Sequence, residues 1–380
     1  MTPGRDTLPG LDPPSPAAPL RVIVIGPEKA MVVQVLLAIH CWARASCTAI
    51  CRPGSRHIRH SLLVDRYAEF SFDGRDDERF IRFVNRLERE QPGQLLVPAD
   101  THGNRLINRV RQRLHARCAA APDDAMLDVL DDKWQFHRLC KWLGLRTPQT
   151  MFAASKHDID FDAAARQLGL PFIVKPCSEA QSHGAFLIAT REELQRQVLD
   201  DDRYQYAPLV VQQFIRGHDV GLNLCAKDGQ LKAIAMQRRE DPDDDGSAIG
   251  FFYDADLDHV AHAICSATGY DGVMNIDGRI EEGSGRVWLF EANPRYWRSL
   301  SASVWGGMNF AAENLSEQIV PVAPRMLCTG HANAYHHPLL RPHLWWHALF
   351  GLGTQRRLAR LLAADICTLM NTLRMKLSPA

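Results

Sequence analysis

Beyond an N-terminal tail, the first hundred residues alternate short β-branched runs with helix-length segments, and this rhythm restricts the chain to a few folds. Residues 21–25 (RVIVI) read as a strand, Gly26-Pro27 as its turn, and residues 29–42 have the apolar spacing of a buried helix. A strand at 48–51, another ending near 66–70, an amphipathic helix at 80–90 and a strand at 95–97 follow. Strand and helix in alternation predict a small, parallel, doubly wound α/β sheet. Gly26 stands where dinucleotides bind in such sheets, but GPEKAM lacks the spacing G-x-G-x-x-G, which favours an ordinary α/β turn.

The second region reads as α+β. Asp131 and Asp132 stand at the N-terminus of a helix over 131–143, stopped by Gly144 with Pro148 beyond. A helix at 161–168, a strand at 171–175 (PFIVK), a polar loop to Gly184 and a strand at 186–189 come next. Strands at 209–215, 220–226 and 231–236 follow, the last two joined by Lys227-Asp228-Gly229, a hairpin signal. Residues 237–250 (QRREDPDDDGSAIG) predict a long charged loop, 257–268 a helix, and 273–277 and 287–290 two final strands around the turn 281–285.

The organisation expected is a proline-rich tail (1–20), an α/β domain (21–125), an α+β core (126–330) and a helical C-terminal extension (331–380). The tail carries six prolines and no apolar h-region, so no signal peptide is expected. No apolar run approaches 18 residues, so no transmembrane helix is expected either. Residues 338–350 and the amphipathic stretch 355–377, with Arg356, Arg357, Arg360, Arg374 and Lys376, could lie on a membrane surface. The alternative is a helical appendage packed on the protein itself or on a second subunit, which would make a homodimer.

Charge narrows the function classes. Lys+Arg and Asp+Glu both number 44, which removes the long-range field that draws a whole protein onto nucleic acid. Only 8 of the 44 basic residues are Lys, so a lysine inside a motif carries weight. The ten cysteines are dispersed without a C-x-x-C pair, as expected of reduced thiols in a cytoplasmic protein.

Two constellations carry chemistry. Strand alternation puts Glu291 and Asn293 on one face, and Asp277 lies on a candidate partner strand across a short turn. Two carboxylates and an amide oxygen make a hard-oxygen set suited to Mg²⁺; the alternative is a solvated strand face. The apolar run 287–290 that ends in Glu291 favours the cation, because a buried charge needs a partner. Lys175 ends an apolar strand before the small-residue loop 177–184, whose backbone can offer N–H groups to phosphate. Alone, it reads equally as a snorkelling strand-end lysine.

Over residues 126–310 these pieces resemble the ATP-grasp enzymes, of the carbamoyl-phosphate-synthase-like and carboxylate-amine ligase type. Asp132-Lys133 and the stretch 144–150 look like the family's entry segment, Lys175-Pro176 like its second phosphate lysine, and 177–184 like its lid loop. Gln212-Gln213-Phe214-Ile215 resembles the hinge strand whose backbone binds adenine, and Asp219 falls where the family carries an acid on the ribose. The resemblance implies that Lys133, Lys175 and Ser182 contact the phosphates of ATP. It implies that Asp277, Glu291 and Asn293 hold Mg²⁺, with two ions expected and Mn²⁺ an acceptable substitute. Lys175 and Arg295 would be catalytic, Arg295 as a planar fork toward a carboxylate. The implied reaction is ATP-dependent activation of a small-molecule carboxylate as an acylphosphate, releasing ADP, for attack by an amine. An ATP-binding protein without ligase activity, or a phosphotransferase, is the alternative. Asn275 departs from the family, which often has Arg there; Arg238 or Arg239 could replace it or simply hold the acidic loop that follows.

Overall fold

The structure, a computed structural model, describes residues 16–178, 184–240, 248–316, 325–333, 346, 349–350 and 353–365. The chain opens with β1 (Leu20–Ile25), α1 (Lys29–Trp42), β2 (Ala45–Cys51), β3 (Arg66–Glu69), α2 (Asp77–Glu90), β4 (Gln94–Pro98), α3 (Thr101–Val110) and β5 (Arg117–Cys118). These strands pair in parallel in the order β3-β2-β1-β4-β5, the doubly wound sheet expected. Alternation along β1 splits the packing: Val22 and Val24 join the cluster around α1, while Ile23 and Ile25 join Phe80, Val84, Leu106 and Ile107 of α2 and α3. Helix α3 was absent from the sequence reading. Asp100 signals it, capping the helix by accepting from the Gly103 N–H at 2.8 Å.

Helices α4 (Asp124–Leu130) and α5 (Lys133–Trp142) divide what the sequence suggests is one helix start. Asp131 lies at the C-terminal end of α4, and Asp132 alone caps α5, accepting from Gln135 N–H at 2.9 Å. A four-stranded antiparallel sheet follows, built from β6 (Thr150–Ala153), β7 (Phe172–Pro176), β8 (Phe186–Ile188) and β9 (Leu209–Gln213), with α6 (Phe161–Leu168) and the short α7 (Arg191–Leu194).

The largest sheet contains β10 (Gly217–Lys227), β11 (Gln230–Arg239), β12 (Ala248–Phe252), β13 (Gly272–Glu281), β14 (Val287–Asn293), β15 (Arg325–Leu327) and β16 (Gly330–Asn333). Asp228 (φ +50°) and Gly229 (φ +75°) make the predicted β10–β11 turn, a two-residue loop with both φ positive. The predicted loop over 237–250 is strand at both ends. Gln237, Arg238 and Arg239 pair with Phe251, Gly250 and Ile249 of β12, so alternation extends into a segment whose acidic composition masked it. Helix α8 (Ala255–Thr268) packs on this sheet together with α5.

Helices α9 (Leu300–Gly306), α10 (Phe310–Ser316) and α11 (Gly353–Ala364) cover the face of α1 turned away from its sheet. That double cover explains why α1 is apolar all round. In α11, Leu358, Ala359 and Leu362 are buried and Arg357 donates to the Ala43 carbonyl at 3.0 Å. This stretch therefore packs on the protein rather than presenting an apolar face to a membrane. Most of 338–352, and residues 366–377, lie outside the described residues. Among the described residues no helix is long and apolar enough to cross a membrane.

Candidate active site

The four-stranded sheet and the large sheet face each other across a cleft of about 570 Å³, within the range of small-molecule sites. One wall carries Lys133 from the start of α5, Lys175 from the end of β7, and Gln212 and Gln213 from β9. The opposite wall carries Asp277, Glu291, Asn293 and Arg295.

The antiparallel register sets Asp277 directly opposite Glu291 and Asn275 directly opposite Asn293. Directly opposed side chains lie within contact range, so the two carboxylates share one site. Burial, and then the Glu291 charge, push the Asp277 carboxyl up to about 7. Burial acts on Glu291 in the same sense, but Lys133 and Lys175 outweigh it and hold that carboxyl below its ordinary value. Lys133 Nζ lies 3.2 Å from Glu291 Oε2. Burial brings the Lys175 ammonium down to about 8, with Glu291 opposing the fall and Lys133 adding to it. Lys133 and Lys175 are 7% and 9% exposed, so Lys175 is not a strand-end side chain snorkelling into water.

The residues present fit a divalent cation. A carboxyl driven toward its neutral form by an adjacent carboxylate marks a place where positive charge would be favourable. Among the described residues no group of three His, Cys, Asp or Glu side chains gathers, so the set is two carboxylates and an amide. Such a set suits Mg²⁺, which completes its shell with water and phosphate oxygens.

Other predicted residues find different company. Asp219 lines the cleft but accepts from Arg279 Nε at 2.7 Å. Arg279 also donates to the Ile215 carbonyl at 2.7 Å and lies over the rings of Phe214 and Phe290, 5.2 and 5.4 Å from their centroids. Arg279 stands two residues after Asp277 on the same strand, whereas the position two before it holds Asn275. The sequence reading missed Arg279, although a cation at that spacing from a strand-end acid was the available signal. Gln212 is buried and donates to Thr150 Oγ1 at 2.9 Å, tying the hinge strand to β6. The paired stretch of β9 ends at Gln213, so Phe214 and Ile215 fall past the ladder. Ile215 lines the cleft; Phe214 does not. Ser182 lies outside the described residues.

Arg238 and Arg239 reach the cleft from β11, while Tyr296 is core. Trp297 packs edge-on against Phe310 and still borders the cleft. Met31 of α1 and Arg298 complete this end, joining the α/β domain to the site. In all, Lys133, Lys175, Arg238, Arg239, Arg279, Arg295 and Arg298 line the cleft against Asp219, Asp277 and Glu291. A chain with no net charge therefore concentrates positive charge in one concavity, which favours an anionic ligand.

Comparisons with known proteins find partial relatives and neighbours of the same fold. The chain is 24% identical over 212 residues to the large chain of the arginine-specific carbamoyl phosphate synthase of Bacillus subtilis, covering 53% of this chain and 19% of that protein. It is 37% identical over 99 residues to D-alanine–D-alanine ligase B of Chromobacterium violaceum, covering 26% of this chain and 31% of the ligase. The chain thus spans less than a third of the length of these two relatives. Among solved structures, the biotin carboxylase domain dimer of Hydrogenobacter thermophilus 2-oxoglutarate carboxylase, in complex with MgADP, ADP and bicarbonate, superposes with a TM-score of 0.60. The match has 13% identity and covers 80% of this chain and 71% of that one. No protein-family model matches the chain. The relatives and the structural neighbours are ATP-grasp enzymes, and this chain shares the ATP-grasp fold.

Proposed function

We propose that the protein is a Mg²⁺-dependent ligase that uses ATP to join a small-molecule carboxylate to an amine. The observation that carries the reading is the direct pairing of Asp277 with Glu291 beside two buried lysines. A protein that only bound nucleotide would have no use for adjacent, half-buried carboxylates, whose mutual repulsion disfavours the empty site.

Lys133 and Lys175 would contact the ATP phosphates, with Ser182 of the lid loop as a further contact. The 212–215 segment would lie along the adenine, and Asp219, presented on Arg279, would face the ribose. Asp277, Glu291 and Asn293 would hold the metal; two Mg²⁺ ions are the expectation and Mn²⁺ a substitute. When bound, the metal neutralises triphosphate oxygens and lowers the barrier to phosphoryl transfer. A substrate carboxylate oxygen attacks the γ-phosphorus, the bond to the ADP oxygen breaks, and an acylphosphate forms. The amine then attacks the acyl carbon, loses its proton, and phosphate leaves as the amide forms. Arg295 is held by bonds to the Tyr296 carbonyl at 2.9 Å and Asn293 Oδ1 at 2.7 Å. Held in this way, its guanidinium fork would face the charge that develops on the acyl oxygen. No protein nucleophile is required.

Substrate selection would fall to Met31, Arg238, Arg239 and Arg298 at the end away from Gln212. Reduced thiols suit a cytoplasmic setting, and the dimer formed by the biotin carboxylase domain of the Hydrogenobacter thermophilus enzyme makes a homodimer the assembly to test. An ADP-release screen with pooled carboxylates and amines tests the function. ADP production that requires both pools supports ligation. ADP production without an amine requirement makes the protein a phosphotransferase, and ATP binding with no turnover on any pool defeats the catalytic reading.

A further inference from the structure

We propose that a row of side-chain amides crossing four strands fixes which way the Asn293 oxygen faces, and that Asn223 and Gln237 are positioning residues of the site. The inference rests on reading Asn293 as a metal-binding oxygen donor.

The row runs head to tail in one direction. Arg295 Nη2 donates to Asn293 Oδ1 (2.7 Å), Asn293 Nδ2 to Asn275 Oδ1 (3.2 Å), and Asn275 Nδ2 to Asn223 Oδ1 (3.0 Å). Asn223 Nδ2 then donates to Gln237 Oε1 and Gln237 Nε2 to Ser299 Oγ, both at 2.9 Å. Asn293, Asn275, Asn223 and Gln237 stand on β14, β13, β10 and β11, so the row crosses the sheet and returns to the loop that carries Arg295. Asn223 is fully buried, and Asn275, Asn293 and Ser299 are less than one-tenth exposed.

An amide has two N–H donors and one oxygen. Asn293 places one donor on Asn275 and the other on Asp277 Oδ2 at 3.0 Å. With both donors engaged on the sheet side, its oxygen is turned toward Arg295 and the cleft. The arrangement holds only while Asn275 offers oxygen rather than nitrogen to Asn293, and that is set in turn by Asn223, Gln237 and Ser299. Reversing one amide would set N–H against N–H on one side and oxygen against oxygen on the other, a buried mismatch costing the desolvation of unsatisfied groups. Each bond in the row also polarises the next, starting from the Arg295 cation.

The backbone makes room for the row. Gly221 lies in the interior of β10 with no positive φ, where glycine weakens a strand. A Cβ there would come within 3.2 Å of Gln237 Cγ and 3.3 Å of Asn275 Nδ2. The row also accounts for Asn275, which departs from the arginine common in the family: an amide continues the sequence of donors and acceptors where a guanidinium, which cannot accept, would end it.

The test uses Gln237→Met, which keeps shape at a half-buried position and removes both bonds of Gln237, with Asn223→Leu as a second variant. ADP affinity is measured by calorimetry with Mg²⁺ and with EDTA, and side-chain amide resonances are followed in metal-free protein labelled at Asn and Gln nitrogen. In Gln237→Met we expect affinity in EDTA to stay within about twofold while the Mg²⁺-dependent gain falls about tenfold or more, the range typical of losing a partner behind a metal ligand. We also expect the Asn293 amide resonances, three bonds along the row, to shift and exchange faster. If Gln237→Met folds with the Mg²⁺-dependent gain and the Asn293 resonances unchanged, the proposal is overturned, whether or not Asn223→Leu folds. Wild-type protein that shows no Mg²⁺-dependent gain would defeat the metal reading itself, and the amide resonances would still decide whether the row orients Asn293.

Discussion

Glu291→Gln is the most informative perturbation of this protein. The Glu291 carboxylate lies 3.2 Å from Lys133 Nζ and also supports the charge of Lys175. At that separation, with an effective dielectric constant of about 20, the gross attraction to Lys133 is about 5 kcal/mol. Removing one side of a buried pair typically costs about 3–5 kcal/mol. Two effects moderate the loss: glutamine retains the shape and an accepting oxygen, and Asp277 is relieved of a repelling neighbour. The nucleotide-free variant should therefore lose on the order of 3 kcal/mol, the low end of that range, seen as a fall of a few degrees in Tm. Saturating ATP should recover part of this loss, because its phosphates supply the negative charge that the two lysines have lost. Recovery should not extend to chemistry. With a productive carboxylate and amine, ADP formation should drop about 100-fold or more, and the Mg²⁺ concentration giving half-maximal rate should rise. Turnover within about threefold of wild type, less than 1 kcal/mol in barrier, at an unchanged Mg²⁺ midpoint would refute the assignment of Glu291 as a metal-holding carboxylate.

Three further outcomes are expected. Lys175→Met removes a buried ammonium whose pKa burial has already lowered to about 8; calorimetry should show ATP affinity reduced by about tenfold or more, the worth of one charge-assisted hydrogen bond, with Tm nearly unchanged. A large fall in Tm at unchanged affinity would make this lysine structural. Burial pushes the thiols of Cys47, Cys51, Cys140 and Cys265 up to about 12. At pH 8 only about one in ten thousand is thiolate, so mass mapping should find these four unmodified by iodoacetamide until the protein is unfolded; rapid native labelling would contradict the packing around them. Gly217 has φ +152°, and a Cβ on it would lie 1.9 Å from the Ile280 carbonyl oxygen. Gly217→Ala should cost on the order of 1–3 kcal/mol or more by thermal denaturation, whereas Gly283→Ala, at φ +81° with nothing within 4 Å, should cost less; equal costs would show that the β10–β13 register does not depend on that close approach.

Much of the site was legible because its signals are local. An acid and an amide at the end of an apolar strand, two of only eight lysines at element ends, and a turn of Asp228-Gly229 each follow from short-range preferences. So does the alternation that led to a parallel sheet. Segments whose composition opposed their structure were misread. Strand β12 lies just beyond an acidic stretch, and α3 begins with polar residues that need the Asp100 cap to be recognised.

The sequence by itself determined the strand–helix alternation behind the parallel sheet, the turn between β10 and β11, and the identities of the charged groups available to a nucleotide. Only the tertiary structure decided which of those groups meet. The register that opposes Asp277 to Glu291, with its shift between Asp277 and Gly278, arises from packing two strands against a core. A slip of one residue would turn either carboxylate away from the other. The clasp of Arg279 on Asp219 and the amide row from Arg295 to Ser299 join residues separated by up to 62 positions, and the cover of α1 by α11 joins segments some 300 positions apart. Local preference acts over a few residues, whereas these contacts exist only once burial has brought distant segments together.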